Sequence, residues 1–180
     1  MSMQVTPGYG TTVATQIKGS AHHQNVIAHA DHVRSFVTPS VTAAPYSTGQ
    51  VVGSEMTFNA VTRLAGDYAV VQEVQILLRG NSVQSDMDLV LYPSVLETQP
   101  VNGAELILTD SEALAVQAVI RIPGGAFLQV GSHMMATVQT SAVIQSPAGA
   151  SSIRGVLVAR GQLVPAAVDA VTASLSVRRD

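Results

Sequence analysis

The chain has 180 residues, 47% of them hydrophobic but only 4% aromatic, with no tryptophan and no cysteine. Charged residues make up 12% and the formal net charge is −3, with Lys18 the single lysine, so no basic stripe exists to neutralise phosphates and nucleic acid is not an expected partner. Without cysteine there is neither a disulfide framework nor a thiolate metal site, so the fold must hold by packing and pairing alone.

The length suits one domain with a real core. With few rings available, Val, Ala, Leu and Ile must fill that core, and small and β-branched residues suit sheet faces that pack closely. The charged fraction lies well below the roughly 25% of an average soluble protein, so much of the surface is expected to be neutral or covered. No apolar stretch approaches the roughly 20 residues that cross a bilayer, and the N-terminus lacks a basic start followed by an apolar run. A soluble chain without a membrane partner is the expectation.

Residues 1–45 are rich in Thr, Ser, Gly, His and Pro, and Val5, Val13, Ile17, Val26 and Ile27 are too isolated to define a long amphipathic element. This stretch reads as an extended N-terminal arm, with a short strand conceivable over 25–30 or 33–37 where Val, Ile and Phe gather. Ordering an arm costs about 1–2 kcal/mol of backbone entropy per residue. Its sparse apolar residues cannot offset that, so the arm is expected to lie across neighbouring subunits. Its removal is expected to leave the remainder folded.

From Tyr46 to the end, short β-favouring runs recur between turn residues, over 50–58, 70–79, 87–92, 116–122, 136–144, 153–160 and 168–177. Many short strands and few helices predict an all-β, antiparallel sandwich over 46–180. Met87, Leu89 and Leu91 alternate with Asp86, Asp88 and Val90, and Val171, Ala173, Leu175 and Val177 alternate with Thr172, Ser174, Ser176 and Arg178. Each of these strands is expected to turn one face inward and one face to water. Gly66-Asp67, Gly80-Asn81, Pro123-Gly124-Gly125 and Pro147-Ala148-Gly149 supply turn residues between the runs. One short helix is predicted at 110–115, capped by Asp110 or Ser111, with Glu112 favourably placed in its first turn.

Few residues suggest chemistry. His22, His23, His29, Asp31 and His32 are ligand types that zinc or copper uses. Neighbours on an extended strand point in opposite directions, however, and the spacing matches no recognised ligand motif, so polar contacts are expected of them and no metal. His133 reads as a loop residue. Asp86 and Asp88 share a strand face and could form a carboxylate pair, yet alternation explains them as a solvated face. No Gly-x-Ser-x-Gly elbow and no Gly-rich loop leading into a helix is present. Neither a catalytic residue nor a cofactor or small-molecule substrate is therefore expected, and the chain is not read as an enzyme.

Four segments carry a resemblance: Val51-Val52-Gly53, Met56-Thr57-Phe58-Asn59-Ala60-Val61-Thr62-Arg63, Asp86-Met87-Asp88-Leu89-Val90-Leu91-Tyr92, and Gly155-Val156-Leu157-Val158-Ala159-Arg160-Gly161. Over about 46–177 the chain resembles the head decoration, or cement, proteins of tailed bacteriophages. The resemblance implies a jelly-roll-like β-sandwich on the outer surface of the virion capsid, bound to the major capsid protein as a homotrimer. It does not extend to the arm, which is longer and richer in histidine than the resemblance requires. A low-charge surface on identical subunits agrees with closed self-association, for which a threefold contact is expected. Two readings from other classes compete: a receptor- or glycan-binding module of a phage tail or spike, using loops 80–85 and 123–133, and an enzyme using Asp86, Asp88 or Asp110.

Overall fold

A computed structural model describes residues 14–18, 21–25, 31–80 and 82–179, and the chain divides into two units, Met1–Ala30 and Asp31–Asp180. In the first unit, β1 (Ala14–Lys18) and β2 (Ala21–Asn25) pair as an antiparallel hairpin, with Ala14 opposite Asn25 and Lys18 opposite Ala21.

The second unit is an all-β, jelly-roll-like sandwich of two antiparallel sheets. Its strands are β3 (Asp31–Val37), β4 (Val51–Phe58), β5 (Tyr68–Leu78), β6 (Met87–Tyr92), β7 (Ala118–Ile122), β8 (Phe127–Val130), β9 (His133–Gln145), β10 (Ile153–Ala159) and β11 (Val171–Arg179). The order is β4-β10-β6-β7 in one sheet and β3-β11-β5-β9-β8 in the other. Early strands pair with late ones, because β3 and β5 flank β11 while β4 and β6 flank β10. The chain crosses between sheets from β3 to β4, β4 to β5 and β5 to β6. Each crossing covers the inner face of the strand before it.

Between the sheets lies an aliphatic core in which Val52, Met56, Phe58, Val74, Ile76, Leu78, Leu89, Leu91, Leu157, Val171 and Leu175 are fully buried. The expected alternation holds on β11, where Val171, Ala173, Leu175 and Val177 face this core. At Gly155 a Cβ would stand 2.9 Å from Leu91 Cδ2 and 3.1 Å from Phe58 Cε2, so only glycine lets these strands approach so closely.

On β6 the expectation of a solvated face fails, since all six residues are buried. Val90 and Tyr92 belong to a second apolar cluster, on the outer side of the four-stranded sheet, with Val51, Leu96, Val156 and Val158. Leu106, Leu108 and Val116 pack against it. The segment 93–117 is thus a cover laid over the back of that sheet, and a strand enclosed on both faces reads as a continuous apolar run.

The predicted helix, α1 (Asp110–Ala115), lies in this cover and is capped by Thr109 rather than by Asp110 or Ser111. Thr109 Oγ1 accepts from Glu112 N at 3.3 Å, and the Glu112 carboxylate accepts from Thr109 N at 2.8 Å, which completes a capping box. The same carboxylate also takes Glu97 N at 2.5 Å. One buried side chain therefore ties both ends of the cover together, and these backbone donors, Thr109 N–H first, hold its pKa below the ordinary 4.5.

The sandwich begins earlier than Tyr46. Asp31–Val37, inside the stretch read as arm, runs antiparallel to β11 with Val33 opposite Val177 and Val37 opposite Ala173. Val33 and Val37 pack on the core, Val41 N donates to Val168 O at 2.9 Å, and Val41 and Tyr46 are buried. Gly53, at φ +81°, has Pro39 against it, where a Cβ would come within 2.7 Å of Pro39 Cβ. Of the two short strands conceived for this region, 33–37 is formed, and residues 26–30 lie outside the described residues. The β8 run, hidden between the Gly124–Ala126 turn and Gly131, was not anticipated.

Three outcomes follow. Gly53→Ala strains both the left-handed backbone and the Pro39 contact and should cost about 2 kcal/mol in denaturant unfolding. A chain starting at Tyr46 should melt well below one starting at Asp31, because it has lost β3. Because its pKa is lower in the folded chain, Glu112 adds stability that is full above about pH 4.5 and disappears as pH falls through the lower folded value. The stability gap between wild type and Glu112→Gln should accordingly close on acidification. A gap independent of pH would refute the carboxylate's role in holding the cover.

Candidate functional site

The two sheets treat their outer faces differently. The chain covers the back of the four-stranded sheet with residues 93–117, whereas the outer face of the five-stranded sheet carries no such cover among the described residues. Alternation decides which side chains stand on that face. On β3 they are His32, Arg34 and Phe36, opposite the inward Val33 and Val37. On β5 they include Glu73, Gln75 and Leu77, between the buried Val74, Ile76 and Leu78.

The registers arrange these residues in rows across the strands. Thr172, Leu77, Met135 and Leu128 form one row across β11, β5, β9 and β8. Thr38 joins its end through a 2.8 Å hydroxyl contact with Thr172. Phe36, Ser174, Gln75 and Thr137 form the next, and Arg34, Ser176, Glu73 and Gln139 the third. Phe36 and Leu128 are 73% and 71% exposed, values that place whole apolar side chains in water. Beside them, Arg34, Phe36, Gln75, Leu77, Thr172 and Ser174 line a shallow, open concavity of about 330 Å³.

The polar groups at the centre of this face already satisfy one another. Arg34 Nη2 donates to Gln75 Oε1 at 2.7 Å and lies 3.4 Å from Glu73 Oε1. Gln139 Nε2 donates to Glu73 Oε2 at 2.9 Å, and Gln75 Nε2 to Thr137 Oγ1 at 3.4 Å. A polar group with its partner in place loses little when water is removed, whereas an unpaired one loses a full hydrogen bond. A partner surface could therefore cover this face at low cost in desolvation.

Of the three carboxylates considered for catalysis, Asp86 and Asp88 are ion-paired. Asp86 accepts from Gly124 N at 2.7 Å and Arg121 Nη2 at 2.6 Å. The Gly124 N–H, and after it Arg121, pull its pKa below the usual carboxylate range. Asp88, expected on a solvated face, is instead buried and takes Arg160 Nε and Nη2 on one oxygen, each at 2.7 Å. The reason is the cover: on β6 both faces are enclosed, so a carboxylate there requires a cation. Asp110 stands in the first turn of α1.

Of the histidines, His22 and His23 sit side by side on β2 opposite Ile17 and Gln16, His29 lies outside the described residues, and His32 is exposed on β3. His133, read as a loop residue, begins β9, and its Nδ1 accepts from Gly80 N at 3.4 Å. Among the described residues no three His, Asp or Glu side chains gather as a metal site.

The sequence reading also missed a trio on the four-stranded sheet. Tyr92 OH donates to Glu55 Oε1 at 3.0 Å, and Arg154 pairs with the other oxygen of Glu55. Burial, then the Glu55 charge, pushes the Tyr92 pKa up. The signal for the open face was present, since His32, Arg34 and Phe36 alternate with Val33, Ser35 and Val37, but it lay inside a stretch dominated by arm-like composition. No protein-family model and no curated protein sequence matches this chain.

Removing Asp88 leaves the Arg160 guanidinium without its partner beside a closed sheet. Asp88→Ala should cost about 2 kcal/mol, and Asp86→Ala, whose carboxylate is half open to water, distinctly less. Chemical denaturation of the two variants checks the order, and equal losses would contradict the burial asymmetry.

Proposed function

We propose that the chain is a structural component of a tailed-bacteriophage head, seated on the outside of the capsid, where it bridges and cements subunits of the major capsid protein. The observation that carries this reading is the open face of the five-stranded sheet: broad, low in charge, bearing exposed Phe36 and Leu128, and with the polar groups at its centre already paired. That is the surface of a unit meant to be covered by protein. The segments that resemble decoration proteins support it, since they fall on β4, β6 and β10, which are neighbours in one sheet. Asp86 and Asp88, two of the three carboxylates an enzyme would use, are held by arginines, which favours a structural role over an enzymatic one.

Capsids of the phage whose genome encodes the chain, prepared without it, provide the test. Added protein should co-sediment with them to saturation and raise the temperature at which they rupture. Capsids that bind none of it, together with glycan binding by the purified protein, would favour a receptor-binding module of a tail or spike instead.

A further inference from the structure

The open face is broad enough to be an interface. Its strands of 7, 9, 11, 13 and 4 residues, rising about 3.3 Å per residue at about 4.8 Å spacing, cover about 700 Å² of flat area. Side chains standing on the sheet increase the accessible area further. A standard stable interface takes about 800 Å² from each partner, so this one face can supply a whole contact.

The chemistry of the face selects its occupant. A partner of opposite charge would be marked by a cluster of one sign here, but Arg34 and Glu73 pair with each other, the two rows on one side of them are Thr, Ser, Gln, Leu, Met and Phe, and the row on the other, His32-Arg178-Val70-Val143, adds a single cation. Such a surface fits another that is equally low in charge and internally paired, and a second copy of this face has those properties. Sheets stack face to face with strands about 30° apart and about 10 Å between them.

We infer that two copies of the chain pack the outer faces of their five-stranded sheets against each other about a two-fold axis that passes between them at β5, inclined to that strand by half the crossing angle. This rests on the reading of the chain as a unit of an assembly, and it names the surface by which copies meet. With β5 on the axis, β3 of one copy lies over β8 of the other. The Thr172-Leu77-Met135-Leu128 row covers its own counterpart, and Leu128 of one copy comes over the concavity walled by Phe36 and Leu77 of the other. The contact is isologous, so assemblies built on it are even-numbered. It is a different contact from the threefold one that the resemblance implies.

The absence of cysteine among these 180 residues makes a direct test available in the unshortened chain. Gln75 stands on β5, beside the axis, so Gln75→Cys sets the two introduced thiols facing each other across sheets about 10 Å apart, too far for a disulfide but within reach of a short bis-maleimide, which should link the chains in pairs. Wild type should sediment as a dimer or a multiple of it. Leu128→Asp, at a side chain 71% exposed, should abolish the cross-link and at least halve the sedimenting mass with the far-ultraviolet spectrum unchanged. Thiols that stay free in Gln75→Cys, a monomeric or trimeric wild type, or oligomers untouched by Leu128→Asp would each overturn the inference. The same preparations mixed with capsids separate the two claims. Binding by a protein that does not pair through this face sinks the inference alone, and pairing without capsid binding sinks the capsid reading alone.

Discussion

A β-sheet has two faces, and a protein of this size has material to enclose only some of them. The sandwich spends its strands on enclosing the two inner faces, with Leu89, Leu91 and Leu157 on one side meeting Val74, Ile76 and Leu175 on the other. One outer face remains to each sheet. Residues 93–117 close the back of the four-stranded sheet, bringing Leu96, Leu106, Leu108 and Val116 onto Val90, Tyr92, Val156 and Val158. That cover is largely irregular chain, pinned at its middle by backbone bonds from Val51 N to Ala104 O at 2.8 Å and from Gly103 N to Val51 O at 2.9 Å. Glu112 ties its two ends together by taking donors from Thr109 and Glu97 on a single carboxylate. The burial of β6, the arginine partner of Asp88 and the Tyr92–Glu55–Arg154 trio on the same sheet all belong to a strand layer with little water on either side.

The five-stranded sheet has no equivalent cover among the described residues, and its outer face is built differently. Hydrogen bonds run sideways among Arg34, Gln75, Glu73, Gln139 and Thr137, so the polar centre makes few demands on water, while Phe36 and Leu128 stand at the margins. A low charged fraction, which in the composition looks only like a poorly solvated surface, takes a specific form here. Arg34 and Glu73 pair with each other at its centre, and neutral side chains fill most of the rows around them.

Strand positions were legible because local pattern determines them. The run over 87–92 coincides with β6, and β4, β5, β10 and β11 lie within a few residues of their runs. What failed were inferences about environment. Asp88 alternates with Leu89 as a solvated residue would, and only the distant segment 93–117 makes its surroundings dry. β3 was absorbed into the arm because Ser35 and the small residues flanking it weaken an alternation whose meaning depends on β11, more than 130 residues away in sequence. The helix was placed correctly but its cap was not, because Thr109 lies one residue before the acidic pair that drew attention. The open face shows in sequence only as the alternation of β3, and that no other segment covers it is written in no single segment.

The central claim is that this sandwich is an assembly unit whose five-stranded face is buried by protein. A cryo-electron reconstruction of the phage head carrying the chain tests it most directly. The account predicts density for the sandwich on the outer capsid surface, with Phe36, Leu77 and Leu128 excluded from solvent. A reconstruction in which the bound sandwich turns that face to open water, or in which the head carries no such density, would contradict it.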